Sequence, residues 1–179
     1  MIQLNRLKIR EANETDIPTL IAWLASGDLM RHVGFPNGIQ TDIEQLRTEL
    51  VKQSLASTNE PSRRFIIFKK EEHKAIGELC FHQLDLHNKS CEIGIKICEI
   101  DEQGKGYGEE ALRGFLTYLF KTYQLHRIYL DTLLENTRAQ QLYQKVGFKI
   151  IGIERDVWLD PQGNYRSAIL MDLLEEEYI

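Results

Sequence analysis

Glycines at alternate positions, Gly104, Gly106 and Gly108, stand directly before the helix-forming run Glu109, Glu110, Ala111, Leu112. A connection built this way can turn tightly and let a ligand approach the backbone with no Cβ in the way. The first-turn amides of the helix that follows lack partners within it, and they sit at the positive end of its dipole. A phosphate or diphosphate is the guest that such a place suits, whereas the plain alternative is an ordinary strand-to-helix turn.

A loop of this kind needs a domain to carry it, and the 179 residues are expected to form one domain over 1–179 around one core. With 42% hydrophobic and 27% charged residues and only 4 prolines, the chain has the apolar material for that core and lacks the bias of disordered or fibrous chains. No apolar run approaches the ~20 residues that cross a bilayer. Met1 to Arg10 carries no signal-peptide hydrophobic stretch, so a cytoplasmic location is the expectation. Cys80, Cys91 and Cys98 are odd in number and show no C-x-x-C spacing, which points to reduced core thiols rather than disulfides or zinc. The five histidines form no metal-binding pair either, so no metal is expected. A net charge of −5, with no Lys/Arg block longer than a pair, argues against a nucleic-acid surface and suits an amine partner slightly better.

Hydrophobic periodicity orders the rest. Ile17, Leu20, Ile21 and Leu24 recur at helical spacing after a start at Thr15 and Asp16, and this helix is expected to end near Gly27. Arg31 to Gly38 reads as an irregular loop; Thr41 then caps a second helical pattern through Leu46, Leu50 and Leu55, and Thr58 to Ser62 is a break. Phe65 to Phe68, Ala75 to Leu86 and Cys91 to Cys98 read as an antiparallel meander. After the glycine loop comes a helix with Ala111, Leu112, Phe115, Leu119 and Phe120 on one face. A strand at Arg127 to Thr132, a short helix at Asn136 to Val146, and two strands, Phe148 to Trp158 and Tyr165 to Leu173, joined by a turn at Asp160 to Asn164 complete the chain. Strands and helices in this order imply a mixed α/β or α+β sheet.

The segment Asn136 to Phe148 is the second distinctive one. Asn136 and Tyr143 lie two helical turns apart with Ala139 between them, so one face offers an amide, a small gap and a phenol. Gly147 then ends the helix and Phe148 opens a strand. With both segments in view, the sequence resembles the GNAT superfamily of N-acetyltransferases, whose signatures are Q/R-x-x-G-x-G/A and, further along, N-x-x-A-x-x-x-Y-x-x-x-G-F. Gln103, Gly106 and Gly108 match the first; Asn136, Ala139, Tyr143, Gly147 and Phe148 match the second. The resemblance covers essentially the whole chain. It implies the GNAT fold, a mixed central sheet with helices on both faces and a splayed strand pair.

The resemblance also implies acetyl-CoA as co-substrate. Its diphosphate would lie on the amides of Gly104, Lys105, Gly106, Tyr107, Gly108 and Glu109, and its pantetheine beside the backbone of Lys96, Ile97 and Cys98. Asn136, Ala139 and Tyr143 would flank the pantetheine and sulfur. A primary amine with a pKa of about 10 must lose a proton before attack, and Glu92 and Asp131 are the carboxylates on offer as base. Tyr143 would protonate the leaving thiolate, and a strand N–H near Ile97 would stabilise the oxyanion. The acceptor would be a protein N-terminus, a polyamine or another small amine, with walls from Arg31 to Gly38, the strand at Phe81 and His82, and the hairpin near Trp158. Gly152 to Asp156, Trp158, Asn164 to Arg166 and Met171 resemble the terminal hairpin of the ribosomal-protein and spermidine acetyltransferase branch. A homodimer is left open. The residues before Gln103, Cys98 to Glu102, depart from the shorter proline-containing connection common in relatives, which leaves open which of residues 95 to 98 meet the pantetheine.

Other readings of the same residues are a solvated or ion-paired role for Glu92 and Asp131, a packing role for Tyr143, an exposed Lys105 and a buried Cys98. Gly106, Gly108 and Ala111 also satisfy G-x-G-x-x-A with Asp131 downstream, so an NAD-binding oxidoreductase is a rival. Against it, the stretch before the loop, Glu99 to Gln103, is polar where a dinucleotide fingerprint calls for an apolar parallel strand. A third reading is a non-catalytic acetyl-CoA sensor.

Overall fold

Runs of β-branched and aromatic residues fix the strands, and the computed structural model describes them within residues 1–55 and 60–178. The chain divides into two compact units: residues 1–12, 56–129 and 173–179, and residues 13–55 and 130–172. In the first unit, β1 (Ile2–Gln3), β2 (Leu7–Glu11), β3 (Arg63–Lys69), β4 (Ala75–Asp85) and β5 (Ser90–Ile97) pair antiparallel, each with the next. Phe65, Ile66 and Ile67 are all buried although they alternate between faces, so both sides of β3 are covered. α4 (Tyr107–Tyr123) turns Ala111, Leu112, Phe115, Leu116 and Leu119 fully inward, at about 1.5–3 kcal/mol for each large side chain. β6 (Arg127–Leu133) then runs parallel to β5, pairing Ser90 with Arg127, Cys91 with Ile128 and Glu92 with Tyr129.

The second unit holds α1 (Ile17–Ala25), α2 (Gly27–Met30), α3 (Ile43–Leu55), α5 (Thr137–Val146), and the antiparallel hairpin of β7 (Lys149–Leu159) and β8 (Tyr165–Leu174). Among the described residues the sheet has eight strands in the order β1-β2-β3-β4-β5-β6-β8-β7. The expected mixed α/β architecture, with its antiparallel meander and one parallel return, is therefore present.

The differences from the sequence reading are local. β2 lies where only a lead into the first helix was expected; it is a strand because Leu7 and Ile9 bury on one face opposite Lys69 and Ile67. A single 3-10 turn, Glu14–Asp16, leads into α1; Asn13 caps that turn, its side chain accepting from the Thr15 amide while the Asp16 carboxylate accepts from the Asn13 amide. α2 occupies a stretch read as the end of a helix, since Ser26 re-caps the chain for one further turn. Asp42, not Thr41, caps α3: its Oδ1 accepts from the Glu44 and Gln45 amides at 2.8 and 3.3 Å. Leu46 and Leu50 are buried as the pattern requires, but Leu55 is 82% exposed. The break expected at 58–62 falls in part, at residues 58–59, outside the described residues.

Candidate active site

Gly104 and Gly106 both adopt left-handed backbone, with φ of 77° and 82°, which a side chain would strain. A Cβ at Gly104 would meet nothing within 4 Å. Gly106 is the N-cap of α4 and supplies no side-chain cap to the first-turn amides of Tyr107, Gly108 and Glu109, which lie at the positive end of a long helix. The surrounding charges are tied to one another. Lys105 Nζ lies 3.0 Å from Glu102 Oε2, and Lys69 Nζ lies 3.1 Å from Glu102 Oε1. These two lysines hold the Glu102 carboxyl below the usual carboxylate range, chiefly through their hydrogen bonds. Arg6, distant in sequence, donates through its backbone N and Nε to Glu110 at 2.7 Å each, gives Nη1 to the Lys105 carbonyl at 3.0 Å, and stacks 4.5 Å over the Tyr107 ring.

β5 leads into this loop. The Cys98 amide donates to the Ile76 carbonyl at 2.8 Å, and strand amides face alternate edges. The backbone groups of Lys96 and Gly94 therefore turn toward β4 together with that of Cys98, while those of Ile95 and Ile97 turn to the opposite edge. On that edge Gln103 Nε2 donates to the Ile97 carbonyl at 2.9 Å. The parallel pairing with β6 ends at Glu92. Beneath the strand, Glu78 accepts from Arg64 at 2.5 Å and Lys96 at 2.7 Å; burial alone would raise its carboxyl, but these two charges win and hold it low.

His82, Glu92 and Tyr129 are register partners across β4, β5 and β6 and so share one face. Glu92 Oε2 accepts from Gln83 Nε2 at 2.8 Å, and Gln83 Oε1 faces the Tyr129 hydroxyl at 3.4 Å. Gln83 sits in left-handed backbone at φ 51°, where the β4–β5 register shifts. Burial and the neighbouring Glu92 charge push the Tyr129 phenol up.

In the second unit, Asn136 caps α5. Its Oδ1 accepts from the Ala139 amide at 3.3 Å and its Nδ2 donates to Thr132 Oγ1 at 3.1 Å. Tyr143, two turns on, is only 6% exposed, with its ring 6.0 Å from that of Phe148. Asp131 keeps a solvent-facing edge, yet the protein crowding its carboxyl and the charge of Glu154 push its pKa up. Trp158 meets Phe35 edge-on at 5.0 Å, and its Nε1 lies so near Gly34 that a Cβ there would come within 2.6 Å. That Nε1 is buried with no hydrogen-bond partner among the described residues.

Sequence reading missed Arg6 and Gln83, because neither lies in a motif; only folding carries them to the glycine loop and to Glu92. Cys98 has its thiol pushed up to about 12 by burial, as has Cys91, so neither is a ready thiolate nucleophile. No group of three or more His, Cys, Asp or Glu among the described residues could hold a metal ion, and no helix there is long and apolar enough to cross a membrane. The glycine loop follows β5 of an antiparallel meander, which is not the setting of a dinucleotide fingerprint.

Comparison with known proteins bears on the same residues. The family described as acetyltransferase (GNAT) domain matches residues 6–149. An uncharacterized N-acetyltransferase of Bacillus licheniformis is 27% identical over 97% of this chain and 95% of its own. A spermidine N(1)-acetyltransferase of Vibrio cholerae is 29% identical over 65% of this chain and 66% of its own. The crystal structure of spermidine N-acetyltransferase from Vibrio cholerae in complex with CoA and spermine superposes with a TM-score of 0.83, at 24% identity, over 97% of this chain and 98% of that one. The loop here suits the diphosphate of such a donor: open space at Gly104 and uncapped amides at the start of α4. The chain therefore belongs to the GNAT acetyltransferase family, in its spermidine and ribosomal-protein acetyltransferase-like branch, and transfers an acetyl group from acetyl-CoA to an amine.

Proposed function

We propose that the acceptor is a polyamine, taken by the whole chain acting as a single N-acetyltransferase domain. The observation that carries this is the close agreement in fold, along nearly the full chain, with an acetyltransferase holding CoA and spermine. The acidic balance of −5 supports a cationic acceptor, although net charge steers more than it selects. A protein N-terminus is the competing amine, and the same assay distinguishes it.

Acetyl-CoA supplies an acetyl group activated as a thioester. In the proposed chemistry the amine passes a proton to a carboxylate, directly or through water, and its nitrogen then bonds to the acetyl carbon as the carbon–sulfur bond breaks. Asp131 is the preferred base, because a raised carboxyl pKa brings it closer to working pH; Glu92, held by Gln83, is the second candidate. Tyr143 delivers a proton to the departing sulfur. The outward backbone of Ile97, with Ile95, takes the pantetheine and oxyanion role in preference to Lys96 and Cys98, whose amides face β4. Gln103, Lys105 and the loop amides through Glu109 serve the diphosphate, and Asn136 and Ala139 shape the helix that carries Tyr143.

The proposal places the enzyme in the cytoplasm, without a nucleic-acid partner. A homodimer finds support in β7, the last strand of the sheet, where Ile150, Ile151, Ile153, Val157 and Leu159 are exposed. Thiol release from acetyl-CoA over spermidine, spermine and peptides with free Ser or Ala termini tests the acceptor. Faster turnover of the polyamines is expected, and a preference for the peptides would replace polyamine with protein N-terminus.

A further inference from the structure

We propose that Arg6 is the positioning residue of the glycine loop: it fixes the peptide between Lys105 and Gly106 so that the Gly106 N–H is presented to the diphosphate of the acyl donor. The inference rests on the glycine loop being the site of acetyl-CoA.

A trans peptide points its C=O and N–H in opposite directions. Arg6 Nη1 takes the Lys105 carbonyl at 3.0 Å, so the N–H of Gly106, which belongs to the same peptide, is directed away from the guanidinium. Flipping this peptide turns ψ of Lys105 and φ of Gly106, and Gly106, at φ 82° with no Cβ, accepts either sign of φ, so its side of the peptide offers little resistance. The flipped form would aim a carbonyl oxygen at an anion.

Arg6 is itself held well enough to enforce the choice. Glu110, in the first turn of α4, accepts from both its backbone N and its Nε at 2.7 Å, and Tyr107 carries the guanidinium at 4.5 Å from the ring centroid. A single exposed ion pair would matter little. Here one planar fork links the turn between β1 and β2 to Lys105, Tyr107 and Glu110 at once, a set of contacts that lysine cannot copy.

The test compares two acyl donors, acetyl-CoA and S-acetylpantetheine, which keeps the thioester and lacks the diphosphate. Arg6→Gln is expected to lower kcat/KM for acetyl-CoA about tenfold, the scale of a lost hydrogen bond to a charged group, mainly through KM. Turnover of S-acetylpantetheine should change less than twofold, and Arg6→Lys should recover only part of the loss. Equal losses with both donors would make Arg6 a general fold brace and overturn the proposal, as would no loss with either. A wild-type enzyme that does not favour acetyl-CoA over S-acetylpantetheine would instead sink the placement of the diphosphate on the loop. Should Arg6→Gln fail to fold, Glu110→Gln frees the guanidinium while leaving its charge, and the same donor-selective loss is expected at smaller size.

Discussion

Asn136 spends its side chain within the chain, on the Ala139 amide and the Thr132 hydroxyl, and so acts first on the helix that carries Tyr143. Asn136→Ala is expected to cost about 1 kcal/mol of stability in urea unfolding, the usual cost of a lost N-cap; unchanged stability would leave the cap without energetic weight. Tyr143→Phe removes the proposed acid while keeping the packing against Phe148, so kcat should fall about a hundredfold. For Asp131 the sign follows from a base that must be ionised to work. The acid limb of kcat/KM rises through its elevated pKa, and Asp131→Asn should remove that limb. If Glu92→Gln removes it and Asp131→Asn does not, the base is Glu92. Cys91 and Cys98, raised to about 12, should react slowly with thiol reagents at pH 8, and rapid labelling of Cys98 would reopen a covalent route. The motif residues among these were legible in the sequence because their spacing is local. Gln83 and Arg6 were not, since their roles arise from contacts across strands or with residues far along the chain.

At the scale of elements, strong periodicity was readable and weak punctuation was not. α4 followed from Ala111, Leu112, Phe115, Leu119 and Phe120, every one of them buried. α2 is a single turn whose cap, Ser26, has no apolar repeat behind it, and the start of α3 turned on which of two adjacent polar residues, Thr41 or Asp42, reaches the free amides. Which backbone groups of residues 95 to 98 turn away from β4 is a matter of strand register, which composition does not encode; the Cys98–Ile76 hydrogen bond shows it, whereas the pantetheine partners among them stay a proposal. β4 and β5 approach each other so closely at Gly77 that a Cβ there would stand 2.2 Å from the Lys96 carbonyl oxygen. Gly77→Ala should therefore destabilise by about 1–3 kcal/mol, as overpacking does, and should also raise KM for acetyl-CoA by shifting β5. A variant as stable as the parent would show that the strand pair yields freely there.

For the whole molecule, buried carboxylates held low set the acid limit, Asp160 among them through its hydrogen bonds from the Asn164 amide and Arg166. Glu78 and Glu102 have folded pKa values held below the ordinary glutamate value, so their contribution is complete above about 4.3 and is lost as pH falls through the depressed values. Melting temperature should drop steeply below that point, and Glu102→Gln should flatten part of the drop; an unaltered profile would remove Glu102 from the account. Amine-dependent release of CoA thiol from acetyl-CoA, followed with spermidine as the varied substrate, is the most direct measurement. Release that saturates with spermidine, with one acetylated amine formed per thiol, is the result expected. CoA binding without thiol release from spermidine, spermine or any free-amine peptide would contradict the assignment of this chain as an acetyltransferase at work.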